Sequence, residues 1–358
     1  MTRKEFYSII DSNRGKDFRY TDLLPFPLFD GSPFINLWLD DGAMEHVDAM
    51  KHLKEALRLE ATPAGSDLAE AIDQADAHDN VARFWWLGQA GFALKYNGRL
   101  LLIDPYLSDS LAEKYRTSEF KHLRMMPIPI APNTVRACDW YLCTHGHTDH
   151  MDAATIRGVL RASSPEFLVP RAEMEKAKER GVPGDRLHGI NAGETLALDD
   201  NIVVEAVASA HERLDTDADG NHKFLGYIID LGELRLYHSG DCIPYPGLAD
   251  ILAAKNIDIA FLPINGRDNY RLSKGVPGNF TVQEAIELCH AAGISYLVGH
   301  HFGLFDFNTI ERGEAEAVLR EQAGELDWLL PEIGVTYSVP TGVMLNEVKQ
   351  PGAVGDAE

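Results

Sequence analysis

The spacing of hydrophobic positions changes near residue 80. Before that point, apolar side chains recur at helical spacing over residues 43–59, which predicts an amphipathic helix. The recurring side chains are Ala43, Val47, Met50, Leu53 and Leu57. The segment "TPAGS" ends this helix, and Ser66 or Asp67 is suited to cap a second, short helix. Residues 1–80 are therefore predicted to be a helical extension that packs on the main domain or on a second subunit.

From Arg83 onward, the pattern is typical of strands. The runs "RFWWLGQAGFALKY" and "RLLLIDPYL" are rich in aromatic and aliphatic residues, and the second follows Asn97-Gly98 directly. Because Asn and Gly adopt the left-handed backbone conformation that a tight turn needs, this dipeptide predicts a β-hairpin.

The order of the later elements predicts the fold class. Further strands are predicted at residues 139–143, 166–169, 202–208, 224–231, 234–238, 258–263 and 295–298. Helices are predicted at residues 152–161, 172–180, 246–254, 281–292 and 311–322. Hairpins come early in each half and helices separate the later strands, so an α+β fold with two sheets packed face to face and helices outside is expected. Its main domain should span residues 81–346, and residues 347–358 should form a flexible tail.

Charge restricts the class of partner. The chain has 33 Lys and Arg against 55 Asp and Glu, a formal net charge of -22. A surface this negative repels phosphate backbones and anionic lipid, which argues against nucleic acid or a membrane as the main partner. It still permits a small anionic substrate, because a metal ion or a few arginines reverse the field locally.

Cysteine usage and the first residues indicate the compartment. The four cysteines, Cys138, Cys143, Cys242 and Cys289, form no C-x-x-C pair, which is typical of free thiols in a reducing compartment. The opening residues lack an apolar segment of signal-peptide length, and no run reaches the ~18 apolar residues of a membrane span. We therefore expect a cytoplasmic protein, with Cys242 as a small buried thiol.

The segment "YLCTHGHTDHMD" is the strongest chemical signal in the chain. An apolar strand delivers it to a sheet edge, and Gly146 allows a tight loop in which His145 and His147 face one point. Asp149 and His150 follow and can face a second point nearby. Packing gives no reason for these polar residues to follow an apolar strand, and imidazole and carboxylate suit zinc, manganese or iron. The segment therefore predicts a metal site.

Three later strand ends offer the remaining ligand types. "VEAVASAHER" ends at His211, "LYHSGDC" contains Asp241, and "YLVGHHFG" contains His300 and His301. Asp241 could bridge two ions. A lone histidine at a strand end is more often structural, which weakens His211 taken alone, and His238 is expected to pack or hydrogen-bond instead of binding metal.

Over residues 83–345, this ordered set of motifs resembles the metallo-β-lactamase superfamily. The resemblance implies an αββα sandwich with the site at the sheet edges. It implies that His145, His147 and His211 hold one metal, that Asp149, His150 and His300 hold a second, and that Asp241 bridges them. It prefers His300 to His301, because the family's last ligand follows its strand by the shortest step. It also implies that Asp104 in "LLIDPYL" orients the ligands from behind the site.

A narrower likeness suggests an activity. "WWLGQAGFALKYNGRLLLIDPYL", "LYHSGDC", "GHHFG" and "YSVPTGVM" resemble the L-ascorbate-6-phosphate lactonase branch, although that branch lacks a histidine at the position of His211. The resemblance implies a lactonase that opens a sugar-acid lactone, phosphorylated or not, by attack of metal-bound hydroxide. The alternative is a phosphodiesterase acting on cyclic nucleotides or other phosphodiesters, since two-metal sites serve that reaction well. A non-catalytic metal-binding protein is a third alternative, disfavoured by the complete ligand set.

The remaining expectations concern cofactors, catalysis and partners. Two divalent ions, zinc or manganese with iron as a further option, are expected, with Asp149 as general base or proton shuttle. The loop "LPINGRDNYRLSKG" follows a strand and carries polar side chains that suit an anionic substrate. The expected substrate contacts are Asn265, Arg267, Tyr270 and His301. The apolar face of residues 43–59 suggests a homo-oligomer.

Overall fold

The structure is a computed structural model that describes residues 59–65, 67–75 and 80–341. The predicted tail over residues 347–358 lies outside the described residues. The predicted helix over residues 43–59 does so too, except for its last residue. Residues 60–338 form one compact unit, which contains both sheets and the candidate site.

Two mixed sheets form this unit. The first has the strand order β1-β15-β2-β3-β4-β5-β6-β7 and the second β14-β13-β12-β11-β10-β9-β8. The strands of the first sheet are Glu60–Pro63 (β1), Val81–Gly88 (β2), Gly91–Tyr96 (β3), Arg99–Ile103 (β4), Trp140–Leu142 (β5), Glu166–Pro170 (β6), Leu187–Ile190 (β7) and Val335–Pro340 (β15). Those of the second are Thr195–Asp199 (β8), Ile202–Ala208 (β9), Leu225–Asp230 (β10), Arg235–His238 (β11), Ile259–Pro263 (β12), Tyr296–His300 (β13) and Asp327–Leu329 (β14).

Helices connect the strands. They are Leu68–Gln74 (α1), Ser110–Lys114 (α2), Ala153–Val159 (α3), Met174–Glu179 (α4), Leu248–Ala253 (α5), Asn269–Ser273 (α6), Val282–Ala292 (α7) and Arg312–Gln322 (α8). Local chemistry sets their starts: Asp67 accepts a hydrogen bond from the Glu70 backbone N–H, and Thr281 forms a capping box with Glu284. The expected short helix after "TPAGS" is thus present, capped by Asp67.

Aromatic side chains fill the space between the sheets. Phe261 on β12 packs edge-on against Phe84 on β2 at 5.1 Å and against Phe92 on β3 at 4.9 Å between ring centroids. Next to Phe84 in sequence, Trp85 faces the other way and packs with side chains of α1 and α3. Because neighbouring strand residues point to opposite faces, β2 contributes to two cores, one between the sheets and one beneath the helices. The face-to-face α+β sandwich predicted from the sequence is confirmed.

The strong local signals were predicted correctly. Asn97 and Gly98 join β3 to β4 with φ values of 46° and 79°, the left-handed conformation that the hairpin requires. Each strand and helix predicted beyond residue 139 has a counterpart within a few residues of its expected bounds. Short elements with weak patterns were missed, including β1, which lies in the predicted helical extension but pairs with β15 at the sheet edge.

Strand direction brings the ends of distant segments together. β4 and β5 run parallel, as do β11, β12 and β13. Parallel strands end at the same sheet edge. The residues that follow these strands therefore lie on one side of the unit; they are Asp104, the segment after Leu142, Asp241 and His301. The loop after β9 brings His211 there as well. This edge is where the polar motifs of the sequence meet.

Within the described ranges, no helix combines the length and the apolar character that crossing a bilayer would require.

Gly240 provides a test of how tightly the two sheets meet at this edge. Its φ is +60°, and an added Cβ would lie 2.6 Å from Thr144 Oγ1. We expect Gly240→Ala to lower the free energy of unfolding by about 2–4 kcal/mol, from left-handed strain of about 1 kcal/mol and a steric clash of about 1–3 kcal/mol. Gly232→Ala is the matched control, because Gly232 has φ +86° and nothing within 4 Å of the added atom. Urea denaturation should show a loss near 1 kcal/mol for the control, and equal losses for both variants would contradict the packing argument.

The cysteines provide a second test. All four are buried and free. Burial raises each thiol pKa, to about 11 for Cys242 and about 12 for Cys289, and in the same direction for Cys138 and Cys143. Because only the thiolate reacts and a raised pKa leaves little thiolate at pH 8, native protein should show no fast reaction with a disulfide dye. In denatured protein, all four thiols should react with the dye. A thiol that reacts rapidly in the native protein would contradict the burial of that cysteine.

Candidate metal centre

Asp104 holds the histidine-rich loop in place from beneath. It is fully buried, and its carboxylate accepts hydrogen bonds from the Thr144 backbone N–H at 2.7 Å and from Thr144 Oγ1 at 2.5 Å. His150 Nδ1 lies 2.7 Å from Asp104 Oδ2 and donates to it. That bond fixes the ring, so Nε2 of His150 faces the cluster. Asp104 therefore makes the contact expected of a residue that orients a ligand.

The first candidate metal group brings four side chains together. In His145, His147, His211 and Asp241, one possible ligand atom from each side chain lies within 4.8 Å of the others. The ring centroids of His145 and His147 are 4.6 Å apart, and those of His147 and His211 are 5.1 Å apart. Burial lowers the pKa of His211 to about 4, so its imidazole is neutral at pH 7 and able to act as a ligand.

The second candidate group lies beside the first. It consists of Asp149, His150 and His301. His150 Nε2 is 3.7 Å and His301 Nε2 3.9 Å from Asp149 Oδ2. Burial lowers the pKa of His150, but the carboxylates of Asp241, Asp104 and Asp149 outweigh it and raise that pKa well above the usual value. The same negative field would attract a cation.

The Asp241 carboxylate lies between the two groups. Its Oδ1 is 3.3 Å from His150 Nε2 and 3.2 Å from His301 Nε2. Its Oδ2 is 3.4 Å from His211 Nε2. One oxygen thus faces each group, which is the arrangement a bridging carboxylate needs. A further trio, Asp104, His145 and His150, is also close, but the Asp104 oxygens are already engaged by Thr144 and His150.

The structure places His301, and not His300, in the second candidate metal group. His300 is the last residue of β13 and points into the core between the sheets, where its ring stacks on His238 at 4.9 Å and meets Phe92 edge-on. The chain then turns at His301, whose φ is +62°, and this turn directs the His301 ring to the cluster. His238 packs and hydrogen-bonds as expected, with Nε2 donating to the Ala90 carbonyl.

These side chains fit divalent metal ions. Several buried ring nitrogens, and one oxygen of Asp241, have no hydrogen-bond partner in the described part of the chain. Among the candidate ligands, these atoms are His145 Nε2, His150 Nε2 and Asp241 Oδ1. Nδ1 of His211 and of His301 also lacks a partner, although Nε2 of each ring is the nitrogen nearest Asp241, and so do both ring nitrogens of His300 in the core. Since a buried polar atom without a partner costs about 1–3 kcal/mol, such a concentration at one place indicates a missing charged partner. Imidazole and carboxylate donors suit zinc, manganese or iron.

A pocket opens directly over the two groups. It encloses about 770 Å³ of empty space, part of it continuous with solvent. His147, Asp149, His211, Asp241 and His301 line its floor. Residues 275–277, aromatic side chains and two cationic side chains form the other walls. The side chains are Tyr115, His122, Phe305, Phe307, Lys114 and Arg180.

Three of the four predicted substrate contacts do not line this pocket. Arg267 donates to the Glu284 carboxylate, with both distances 2.6 Å. Asn265 is buried and joins Asn308 and Asn279 through its side-chain amide. Tyr270 hydrogen-bonds Glu119 at the surface. Each of these three side chains is held by a residue from another part of the chain, whereas His301 lines the pocket.

Sequence reasoning missed other residues at the site. Gln89 donates from its side-chain amide to Asp149 Oδ2 at 3.0 Å. Arg180 donates to the main-chain oxygens of His147 at 3.1 Å and Met151 at 2.6 Å, which secures the far end of the histidine-rich loop. The glycines of "GQAG", inside a run that was predicted as strand, are a turn signal that could have located Gln89. No comparable signal marked Arg180, which lies at the end of a polar surface helix.

The chain is similar in sequence to the β-lactamase superfamily and to metal-dependent hydrolases. The sequence model of the Beta-lactamase superfamily domain matches residues 99–302. A UPF0173 metal-dependent hydrolase of Myxococcus xanthus is 25% identical over 291 residues, which cover 78% of this chain and 91% of that protein.

Solved structures share the fold. Isothiocyanate hydrolase from Delia radicum gut bacteria has a TM-score of 0.58 at 19% identity, with 71% of this chain and 97% of that chain covered. Igni18, a metallo hydrolase of Ignicoccus hospitalis, has a TM-score of 0.53 at 19% identity, with 72% and 98% covered. With the family model matching more than half of the sequence, this chain belongs to the β-lactamase superfamily.

Proposed function

We propose that this metal-dependent hydrolase opens the ring of a sugar-acid lactone at a pair of divalent ions. The observation that carries the proposal is the Asp241 carboxylate, which directs one oxygen to each of two adjacent ligand groups. In this assignment, His145, His147 and His211 hold one ion, and Asp149, His150 and His301 hold the other. A metal pair of this kind lowers the pKa of water and polarises the bond to be cleaved.

The protein side chains supply orientation and proton transfer. Asp149 lines the pocket floor, where its carboxylate can accept a proton from the attacking water and pass it to the departing oxygen. Asp104 holds His150 in one orientation, and Arg180 holds the main chain of the histidine-rich loop. These contacts fix the ligands before a substrate arrives, which lowers the cost of organising the transition state.

The pocket walls support a small, acidic, ring-shaped substrate. Lys114 and Arg180 supply positive charge in a chain whose net charge is -22, and they would attract a carboxylate or phosphate. Tyr115, Phe305 and Phe307 offer aromatic surface, against which the C–H groups of a sugar ring can pack. The empty space suits one sugar unit better than a polymer.

The adjacent histidines provide a test of the ligand assignment. We expect His301→Phe to lower the metal content by about one ion per chain and kcat/KM by about 100-fold, because a ligand of the second ion is lost. His300→Phe is the matched control: it replaces a ring stacked in the core, so both ions should remain. Elemental analysis of purified protein measures the metal content. A second ion lost from the His300 variant and kept by the His301 variant would reverse the assignment.

A substrate comparison tests the reaction class. Metal-loaded protein should open a sugar-acid lactone, followed by proton release, and should show little turnover of bis-p-nitrophenyl phosphate. We expect kcat/KM for the lactone to exceed that for the phosphodiester by at least about 100-fold, because ring opening exploits the pocket walls as well as the metals. Preferential phosphodiester cleavage would favour the phosphodiesterase alternative. Asp149→Asn serves as the inactive control.

A further inference from the structure

The side chain of Gln89 is buried beside the second candidate metal group and plays no part in the proposed ligand set. Gln89 is only 1% exposed and occupies the turn between β2 and β3. Its φ is +52°, in the left-handed region that non-glycine residues adopt at a cost of about 1 kcal/mol. Such strain persists only where surrounding contacts enforce it, so the contacts of Gln89 indicate what the strain achieves.

The main chain of Gln89 is fixed from both sheets. Its carbonyl oxygen accepts a hydrogen bond from the Trp86 indole N–H at 2.9 Å and from the His301 backbone N–H at 3.0 Å. The Trp86 ring stacks on Phe302 with 4.9 Å between centroids. The turn after β2 and the loop after β13 therefore form one connected frame, which restricts the conformations open to the Gln89 side chain.

The carboxamide reaches the ligands from this frame. Gln89 Nε2 donates to Asp149 Oδ2 at 3.0 Å and lies 3.1 Å from His301 Nε2. Exchanging the amide nitrogen and oxygen would set an oxygen against the carboxylate, so the observed orientation is the favourable one. A histidine nitrogen that binds a metal has no lone pair to accept a hydrogen bond. With an ion in the second group, the bond to Asp149 is therefore the one that remains.

The oxygen of the Gln89 carboxamide lowers the stability of the fold. Gln89 Oε1 is buried and has no hydrogen-bond partner among the residues that the structure describes. Burying an amide oxygen in this way lowers stability, whereas an apolar side chain of similar size would not. Stability therefore does not explain the choice of glutamine, and its contact with Asp149 does.

We propose that Gln89 is a positioning residue for the second metal ion. Its N–H group donates to Oδ2 of Asp149, the oxygen that also faces His150 Nε2 and His301 Nε2, and this bond sets the rotation of the carboxylate. This inference rests on the proposed two-metal site. It concerns the affinity of one of the two positions, and it assigns Gln89 no contact with the substrate.

Substitution by methionine separates positioning from stability. Gln89→Met keeps the length of the side chain and removes both amide groups. The full-length, metal-loaded protein is treated with increasing concentrations of a chelating dye, and the release of each zinc ion is followed. We expect the ion held by Asp149, His150 and His301 to be bound about 10–100-fold more weakly, the range found when partners of metal ligands are removed. The other ion should change by less than about threefold, since Gln89 contacts none of its histidines.

Controls make each outcome decisive. Gln74→Met, on an exposed face of α1, should leave both affinities unchanged. With zinc removed from both proteins, the urea midpoint of Gln89→Met should equal or exceed that of the unaltered protein, because an unpartnered polar oxygen has been removed and zinc binding no longer contributes to stability. Gln89→Leu is a second variant with the same expected result if the methionine variant does not fold.

The two possible failures can be told apart. If the unaltered protein binds a single ion, the proposed two-metal site is wrong whatever the variants do. If it binds two ions and both Gln89 variants release them as the unaltered protein does, only the role of Gln89 is overturned. Equally weaker binding of both ions, together with a lower urea midpoint, would also overturn this role, because Gln89 would then stabilise the structure as a whole.

Discussion

The carboxylate of Asp241 is the interaction on which the site depends. It lies between histidines from both halves of the sandwich, and burial would make its negative charge unfavourable without positive partners. Burial raises the Asp241 pKa, but the charges and hydrogen bonds of His301 and His150 outweigh it and hold that pKa well below its usual value. The carboxylate therefore stays ionised, and the surrounding imidazoles are gathered at distances that suit shared cations. The two sheets are needed because neither alone carries both sets of histidines.

Support for this cluster comes from residues that need not touch a metal. Asp104 adopts a positive φ of 45° and serves both Thr144 and His150, while Gln89 and His301 have positive φ values on opposite sides of one hydrogen bond. Strained backbone at three positions around one site is typical of functional centres, where packing elsewhere maintains a conformation that the local sequence disfavours. Packing in the rest of the unit compensates for the backbone strain, and the candidate ligands then need little rearrangement when a metal ion binds.

Local chemistry made much of the fold predictable, and tertiary contacts explain the rest. Asn97-Gly98 favours its own turn, and the closely spaced histidines after β5 signalled the candidate metal groups, although His145 and His147 also pack against Phe224. The choice between His300 and His301 depended on where β13 ends and the chain turns, which periodicity resolves only to a few residues. Arg267 looked free to bind an anion because its partner, Glu284, lies 17 positions away on another element. Gln89 was missed because its role arises from a frame built by two distant loops.

The paired histidines at the end of β13 have a consequence for how this segment can vary. His300 ends the strand and its ring fills the interior, whereas the turn at His301 directs the next ring to the cluster. Deleting or inserting a single residue in β13 would exchange their surroundings, burying the ring that should reach the cluster and exposing the one that should pack. Length changes in this part of the chain should therefore be tolerated only beyond His301, in the loop that follows.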